Sequence, residues 1–250
     1  MANRRYSEAL VIGSGVIGLS ITRELHKRGV RNITLIEKGV CGEESSWAAA
    51  GMLGPQAEAD EGGGFFDICC ESRNLYPQLA AELLDETGID IELDRSGTLY
   101  LAFTDEDVAA VHERFRWQRK AGLAVEHLSA DAARQAEPFI SPDIRGALFF
   151  PNDWHVDNRK LLAALKRYAE LNGIKIREKT NIKRMIVEDS RVIGVENETE
   201  RFLADQTVLA TGAWTSLIKL GLMEMPFKVE PVLGQIVMIQ TAKRLFQRVI

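Results

Sequence analysis

The feature that most restricts how this chain can fold is Gly13-Ser14-Gly15-Val16-Ile17-Gly18, a glycine-rich turn directly preceded by the apolar tetrad Ala9-Leu10-Val11-Ile12. Four consecutive apolar residues with no polar alternation suit a strand buried on both faces of a parallel sheet. After the turn, Val16, Ile17, Leu19, Ser20 and Leu25 fit a helix packed on that sheet, Arg23, Glu24, Lys27 and Arg28 supply its wet end, and Gly29 closes it. Ile33-Thr34-Leu35-Ile36 predicts the next strand. Strand, turn, helix and strand within about 30 residues make a βαβ unit with a right-handed crossover.

Each glycine of the turn has its own task. Gly13 permits the tight bend, Gly15 lets a diphosphate approach the backbone, and Gly18 lets helix and strand pack closely. Glu37 ends the second strand 19 residues after Gly18, where a carboxylate can accept hydrogen bonds from ribose hydroxyls. The helix N-terminus adds unpaired N–H groups and the positive end of its dipole. Together they predict a bound dinucleotide.

A secretory or membrane reading of the N-terminus fails. Although Arg4 and Arg5 precede an apolar stretch, Glu8 interrupts it and Ala9–Thr22 offers only 14 uncharged residues, against about 18 for a membrane span. Charge excludes other partners, because 31 basic against 36 acidic residues leave a net −5 and no general attraction for nucleic acid or anionic membrane. Cys41, Cys69 and Cys70 are too few for a disulfide framework, and the four histidines are too scattered for a metal site. A reducing, cytoplasmic setting and no metal are expected.

Further along, helices are predicted over Glu71–Gly88, Asp105–Gly122 and Asp157–Gly173, and strands over Gly97–Phe103, Lys175–Arg177, Ile182–Val187, Val192–Glu196, Phe202–Ala204 and Thr207–Ala210. Val229–Ile239 reads as one more long strand, with Gly234 inside it.

Gly42-Glu43-Glu44-Ser45-Ser46-Trp47-Ala48-Ala49-Ala50-Gly51-Met52-Leu53 combines hydroxyls with a run of small residues, so backbone could lie against a planar ring while Ser45 and Ser46 reach phosphate or sugar oxygens. With the glycine turn and Glu37, this segment resembles the glycine oxidase branch of the D-amino-acid oxidase-like flavoproteins. Ala57-Glu58, Phe65-Phe66-Asp67, Gly88-Ile89-Asp90, Leu101-Ala102-Phe103, Asp153-Trp154-His155-Val156-Asp157 and Ala210-Thr211-Gly212-Ala213-Trp214 follow as landmarks in the family's order.

The resemblance implies an α/β fold: a doubly wound, Rossmann-like FAD-binding domain, discontinuous over 1–87 and 150–222, with part of a smaller inserted α+β substrate domain over 88–149 and 223–250. It implies non-covalent FAD, with Val16 and Ile17 against the diphosphate, Glu37 and Lys38 on the adenosine ribose, and Ser45, Ser46, Ala50, Gly51 and Met52 on the rest of the cofactor. Ile182 would bind adenine through its backbone, Thr211, Gly212 and Trp214 would complete the cofactor site, and Met52 would lie beside flavin and substrate. The implied reaction is oxidation of glycine, sarcosine or a small D-amino acid by dioxygen, feeding thiazole formation for thiamine. By residue type alone Met52 and Trp214 are more often core packing than site residues, and His155 is more often a structural hydrogen-bonding residue than a proton shuttle. Glycine oxidases continue beyond the equivalent of Ile250, into a tyrosine, a substrate-carboxylate arginine and a last glycine-rich FAD segment. A shortened chain with an exposed edge is therefore expected, and a homo-oligomer is compatible with it. Two alternatives stand beside this reading: another amine oxidase or dehydrogenase of the superfamily, and an inactive FAD-binding fragment. An NAD-dependent dehydrogenase would leave Ser45–Met52 unexplained.

Overall fold

The computed structural model describes residues 5–224 and 226–250. The chain opens with β1 (Arg5–Ile12), α1 (Val16–Lys27), β2 (Ile33–Ile36), α2 (Ser45–Ala48), β3 (Met52–Leu53) and α3 (Pro55–Glu58). There follow α4 (Gly64–Thr87), β4 (Thr98–Ala102), α5 (Asp105–Lys120), β5 (Glu126–Ser129), α6 (Ala130–Ala136), β6 (Gly146–Phe150) and β7 (Trp154–His155). It continues through α7 (Asn158–Leu171), β8 (Lys175–Arg177), β9 (Arg184–Glu188), β10 (Arg191–Glu196), β11 (Arg201–Leu209), a 3-10 turn (Gly212–Leu217) and β12 (Lys219–Leu220). By internal contacts these form two compact units: residues 1–49, 83–90 and 158–236, and residues 50–82, 91–157 and 237–250. Residues 50–82 and 150–157, which the resemblance would put with the nucleotide-binding part, cluster with the second unit.

The first unit is built on a seven-stranded sheet in the order β12-β9-β10-β11-β1-β2-β8. β1 lies inside the sheet and pairs in parallel with β2 (Ile12 opposite Ile36) and with β11 (Ile12 opposite Leu209). Ala9, Leu10, Val11 and Ile12 are all buried, as an uninterrupted apolar strand requires. Leu10 and Ile12, two residues apart and so on one face, join a cluster with Ile36, Ile182, Met185, Val195 and Phe202. α1 packs against α7, whose Leu161, Leu162, Leu165 and Tyr168 make its buried stripe. At that contact Tyr168 hydrogen-bonds His26 at 2.8 Å, and Arg23 is held by Glu86. Because β2 lies on one side of β1 and β11 on the other, the C-terminal end of β1 is a switch point of the sheet, where open α/β folds place ligands.

Several sequence expectations change in extent. The two short strands expected at Phe202–Ala204 and Thr207–Ala210 are one, β11, because parallel pairing with β1 keeps a single register from Arg5 opposite Phe202 to Ile12 opposite Leu209. α4 starts at Gly64, earlier than Glu71, and carries Pro77 inside it. Val229–Ile239 is not a strand: no ladder forms there, and Val232 and Leu233 are 91% and 89% exposed. An extended apolar sequence supplies side chains for a sheet but not the neighbouring strand that must take its N–H and C=O groups, and none lies against it among the described residues.

The second unit has a three-stranded antiparallel sheet, β4-β6-β5. Phe150, Leu148, Ala102, Val111 and Val125 form one core on it, and Leu99, Ala133, Ile140, Ile144 and Ala147 another. α5 is started by a full capping box, Thr104 with Asp107. Residues 244–250 close the outer edge of β4: Leu99 donates to the Val249 carbonyl at 2.8 Å, and the fully buried Glu137 accepts from Arg248 and from the Gln247 backbone.

Candidate active site: the nucleotide cavity of the first unit

The ends of the three central strands are tied together by backbone. Gly13 donates to Ile36 (2.8 Å) and Ala210 donates to Ile12 (2.8 Å), so the glycine turn lies between the C-terminal ends of β2 and β11. Two glycines are required here by space. Gly13 has φ +97°, and a Cβ on Gly18 would lie 1.9 Å from the Gly13 carbonyl oxygen, so the first turn of α1 touches the strand exit directly.

A cavity of about 340 Å³ opens at this point. That is at the small end of ligand sites, roughly 300–1,000 Å³, and suits one nucleotide half of a dinucleotide. Ile12, Ile36 and Ile182 give it an apolar floor. Gly13, Gly15, Val16 and Ile17 line it from the turn, and Glu37 and Lys38 from the end of β2. Ser45 and Ser46 line it from α2, and Thr211, Gly212 and Trp214 from the turn after β11. Gly18 does not reach the lining; it sets the packing beneath. Ala50, Gly51 and Met52 belong to the second unit.

Glu37 is buried, and its carboxylate is fixed by three donors: the Ser14 backbone N–H (3.0 Å), the Ser14 hydroxyl (2.8 Å) and the Gly39 N–H (2.8 Å). A carboxylate has about four acceptor positions, so one is left for a ribose hydroxyl. Ser46 turns its hydroxyl to the N-terminus of α1 and accepts from Val16 N–H at 3.1 Å. The Ser46 hydroxyl thus makes the contact that a phosphate oxygen would make at a helix N-terminus. Asn158 holds α2 in turn, donating to the carbonyls of Ser46 (2.7 Å) and Trp47 (2.9 Å). Cys41, one turn from this network, is buried, and burial pushes its thiol pKa up despite the Ser14 hydroxyl.

Sequence reasoning passed over Ser14, Glu44, Thr180 and Asn181, all in the lining. Ser14 occupies a variable position of the glycine pattern, so nothing marks it before the carboxylate it orients is seen. Glu44 bonds to Lys38 (3.2 Å) and accepts from the Trp214 indole (3.4 Å), a link across 170 residues that no local pattern announces.

In the second unit, Ala50, Gly51 and Met52 are held by a two-stranded ribbon in which Met52 is opposite His155. Gly51 has φ +83°, and a Cβ there would meet the Val156 carbonyl oxygen at 2.0 Å. The His155 Nε2 lies 2.9 Å from the Ala50 carbonyl, which can only accept, so that nitrogen carries the proton and the ring pins the segment. Met52 is partly open to solvent. Beside the ribbon, fully buried Asp153 accepts from the N–H groups of Ala57 (2.8 Å) and Gln56 (3.3 Å) and lies 3.4 Å from Arg73. Burial outweighs these partners and raises its pKa to about 6. Cys69 and Cys70, in the first half of α4, are partly buried.

Residues 8–249 match the family model described as FAD dependent oxidoreductase. The chain belongs to that family. Its cofactor is FAD, and a buried carboxylate, an apolar floor and a helix N-terminus around one cavity are chemically suited to an adenosine diphosphate. Glycine oxidase of Geobacillus kaustophilus is 36% identical over 246 residues, covering 97% of this chain and 64% of that protein. The bifunctional protein ThiO/ThiG of a Synechocystis strain is 31% identical, covering 92% of this chain and 32% of its own length. The crystal structure of the Geobacillus kaustophilus enzyme superposes with TM-score 0.80 at 34% identity, over 85% of this chain and 57% of that one. The chain thus spans less than two thirds of these relatives. No described helix is long and apolar enough to cross a membrane.

Proposed function

We propose that this protein oxidises glycine or a similarly small amine, such as sarcosine or a small D-amino acid. Glycine, dioxygen and water would give glyoxylate, ammonia and hydrogen peroxide, through an imine that water hydrolyses. Bound FAD supplies the hydride acceptor and passes the electrons to dioxygen. The residues of this chain bind and orient. N–H groups of Val16 and Ile17 at the start of α1 take the diphosphate, Glu37, set by Ser14, takes the ribose with Lys38 beside it, and Ile182 meets the adenine. Thr211, Gly212 and Trp214 bound the cavity on its β11 side. We assign Ala50, Gly51 and Met52 to the flavin ring on the likeness to glycine oxidases alone, with residues 1–87 and 150–222 as the FAD-binding part and residues 88–149 and 223–250 as part of a substrate domain. A place in thiazole formation rests on the likeness to the bifunctional ThiO/ThiG protein, and a cytoplasmic setting on the sequence.

The observation that carries this reading is the match to glycine oxidase along 97% of the chain, with the family's glycine turn and acidic strand end set around one cavity. Adding glycine without oxygen to the FAD-loaded protein should bleach the flavin band, and admitting air should restore it with stoichiometric peroxide. A band bleached by other amines and not by glycine would overturn the substrate. A stable flavin band that no amine bleaches would leave only the nucleotide-binding half of the proposal.

A further inference from the structure

Three side chains of the cavity lining stand apart from the others. Lys38, Glu44 and Trp214 come from the end of β2, from the residue before α2 and from the turn after β11. Their side chains form a closed set: the Lys38 ammonium lies 3.9 Å from the centre of the Trp214 ring, 3.2 Å from a Glu44 oxygen, and the Trp214 N–H points to the other Glu44 oxygen at 3.4 Å. All three are also open to solvent, the Lys38 and Glu44 side chains at 35% and 44% and Trp214 at 38%, whereas the floor residues Ile12, Glu37 and Ile182 are buried. Residues that line a cavity and still face water stand at its mouth.

Glu44 is the shared member. It supplies no capping hydrogen bond to α2, so its side chain has no other work in that helix. Without it, Lys38 would keep only the Trp214 ring face and the Trp214 N–H would lose its acceptor; with it, three separate segments are joined across the opening. We infer that Glu44 is a positioning residue that clasps Lys38 to Trp214 over the nucleotide cavity and so governs how slowly bound flavin nucleotide escapes. The inference rests on the FAD reading given above.

The test is the release rate of FAD from the loaded protein, followed by recovery of flavin fluorescence after dilution, for wild type, Glu44→Gln, Lys38→Met and the double variant. An exposed ion pair with a cation–π contact predicts release about three- to tenfold faster in each single variant. The double variant should be no faster than the singles, since one clasp is lost only once. Raising salt should speed release from wild type and hardly alter Glu44→Gln, a response that a merely structural residue would not show. Should Glu44→Gln lose the wild-type circular dichroism, Glu44→Asp, which keeps the charge and withdraws it by one methylene, takes its place under the same expectations for release rate. Wild-type protein that holds FAD, with variants that release it at the wild-type rate at every salt concentration, overturns the clasp and leaves the FAD reading standing. Failure of the wild type to bind FAD overturns both.

Discussion

The Asp153 carboxyl makes the stability of the second unit fall as pH rises, and the size of the fall can be worked out. Its ordinary pKa of 3.8 is raised to about 6 in the folded chain, because complete burial outweighs the N–H groups of Gln56 and Ala57 and the Arg73 guanidinium. A folded value above the unfolded one means that protonation favours the fold. The contribution is complete below about pH 4 and is lost as pH rises through about 6. The full gap is worth about 3 kcal/mol, of which about 2 kcal/mol lies between pH 4.5 and 7.5. Asp153→Asn keeps the shape and cannot titrate, so subtracting its unfolding free energy from that of wild type cancels the other groups. Urea unfolding followed through tryptophan emission, with Trp154 adjacent, should show wild type losing about 2 kcal/mol relative to the variant across that range. A flat difference, or one of opposite sign, would mean that the three donors win and the carboxyl stays ionised, and the burial argument would be refuted.

Other expectations follow from the cavity and the core. Gly18→Ala must push a methyl into the Gly13 carbonyl 1.9 Å away, so it should cost about 1–3 kcal/mol and lower the melting temperature by roughly 2–12 °C, with loss of flavin from the purified protein. Ser14→Ala removes one of the three donors that fix the Glu37 carboxylate, and a fluorescence titration should find FAD affinity about tenfold weaker. Ser46→Ala uncaps Val16 and should cost the FAD-free protein about 1 kcal/mol by thermal melting, while FAD, whose phosphate can take over that N–H, recovers the loss. Arg248→Met leaves the fully buried Glu137 with only the Gln247 N–H, and should cost about 1–3 kcal/mol in the same urea assay.

What was legible in the sequence was whatever depends on neighbours along the chain. β2 is found at Ile33–Ile36 as its apolar run dictates, and α1 ends at Lys27, with Gly29 at φ +98° beyond it. Their order alone brings Gly13 and Glu37 to the same sheet edge. The contacts that give the site its working geometry are not of this kind. Ser14 matters because it is bonded to a carboxylate 23 positions later, Ser46 because it caps a helix 30 positions earlier, and Glu44 because it meets an indole 170 positions away. Serine and glutamate are common enough that their types carry no message until the fold selects the partner.

Val229–Ile239 shows the same limit from the opposite side. Val232, Leu233, Ile236 and Val237 have the composition of a buried strand, and that much is a local fact. A strand is nevertheless defined by hydrogen bonds to another segment, and β4 illustrates how specific that demand is. Its outer edge accepts Val249, whose backbone alternates with Gly97 and Leu99 while Arg248 is anchored by the buried Glu137. Among the described residues no buried charged anchor of that sort flanks Val229–Ile239, where the Val229 N–H is held by the Ser216 hydroxyl. The apolar pattern states that the segment prefers cover; which backbone provides it is decided by anchors and register elsewhere in the molecule.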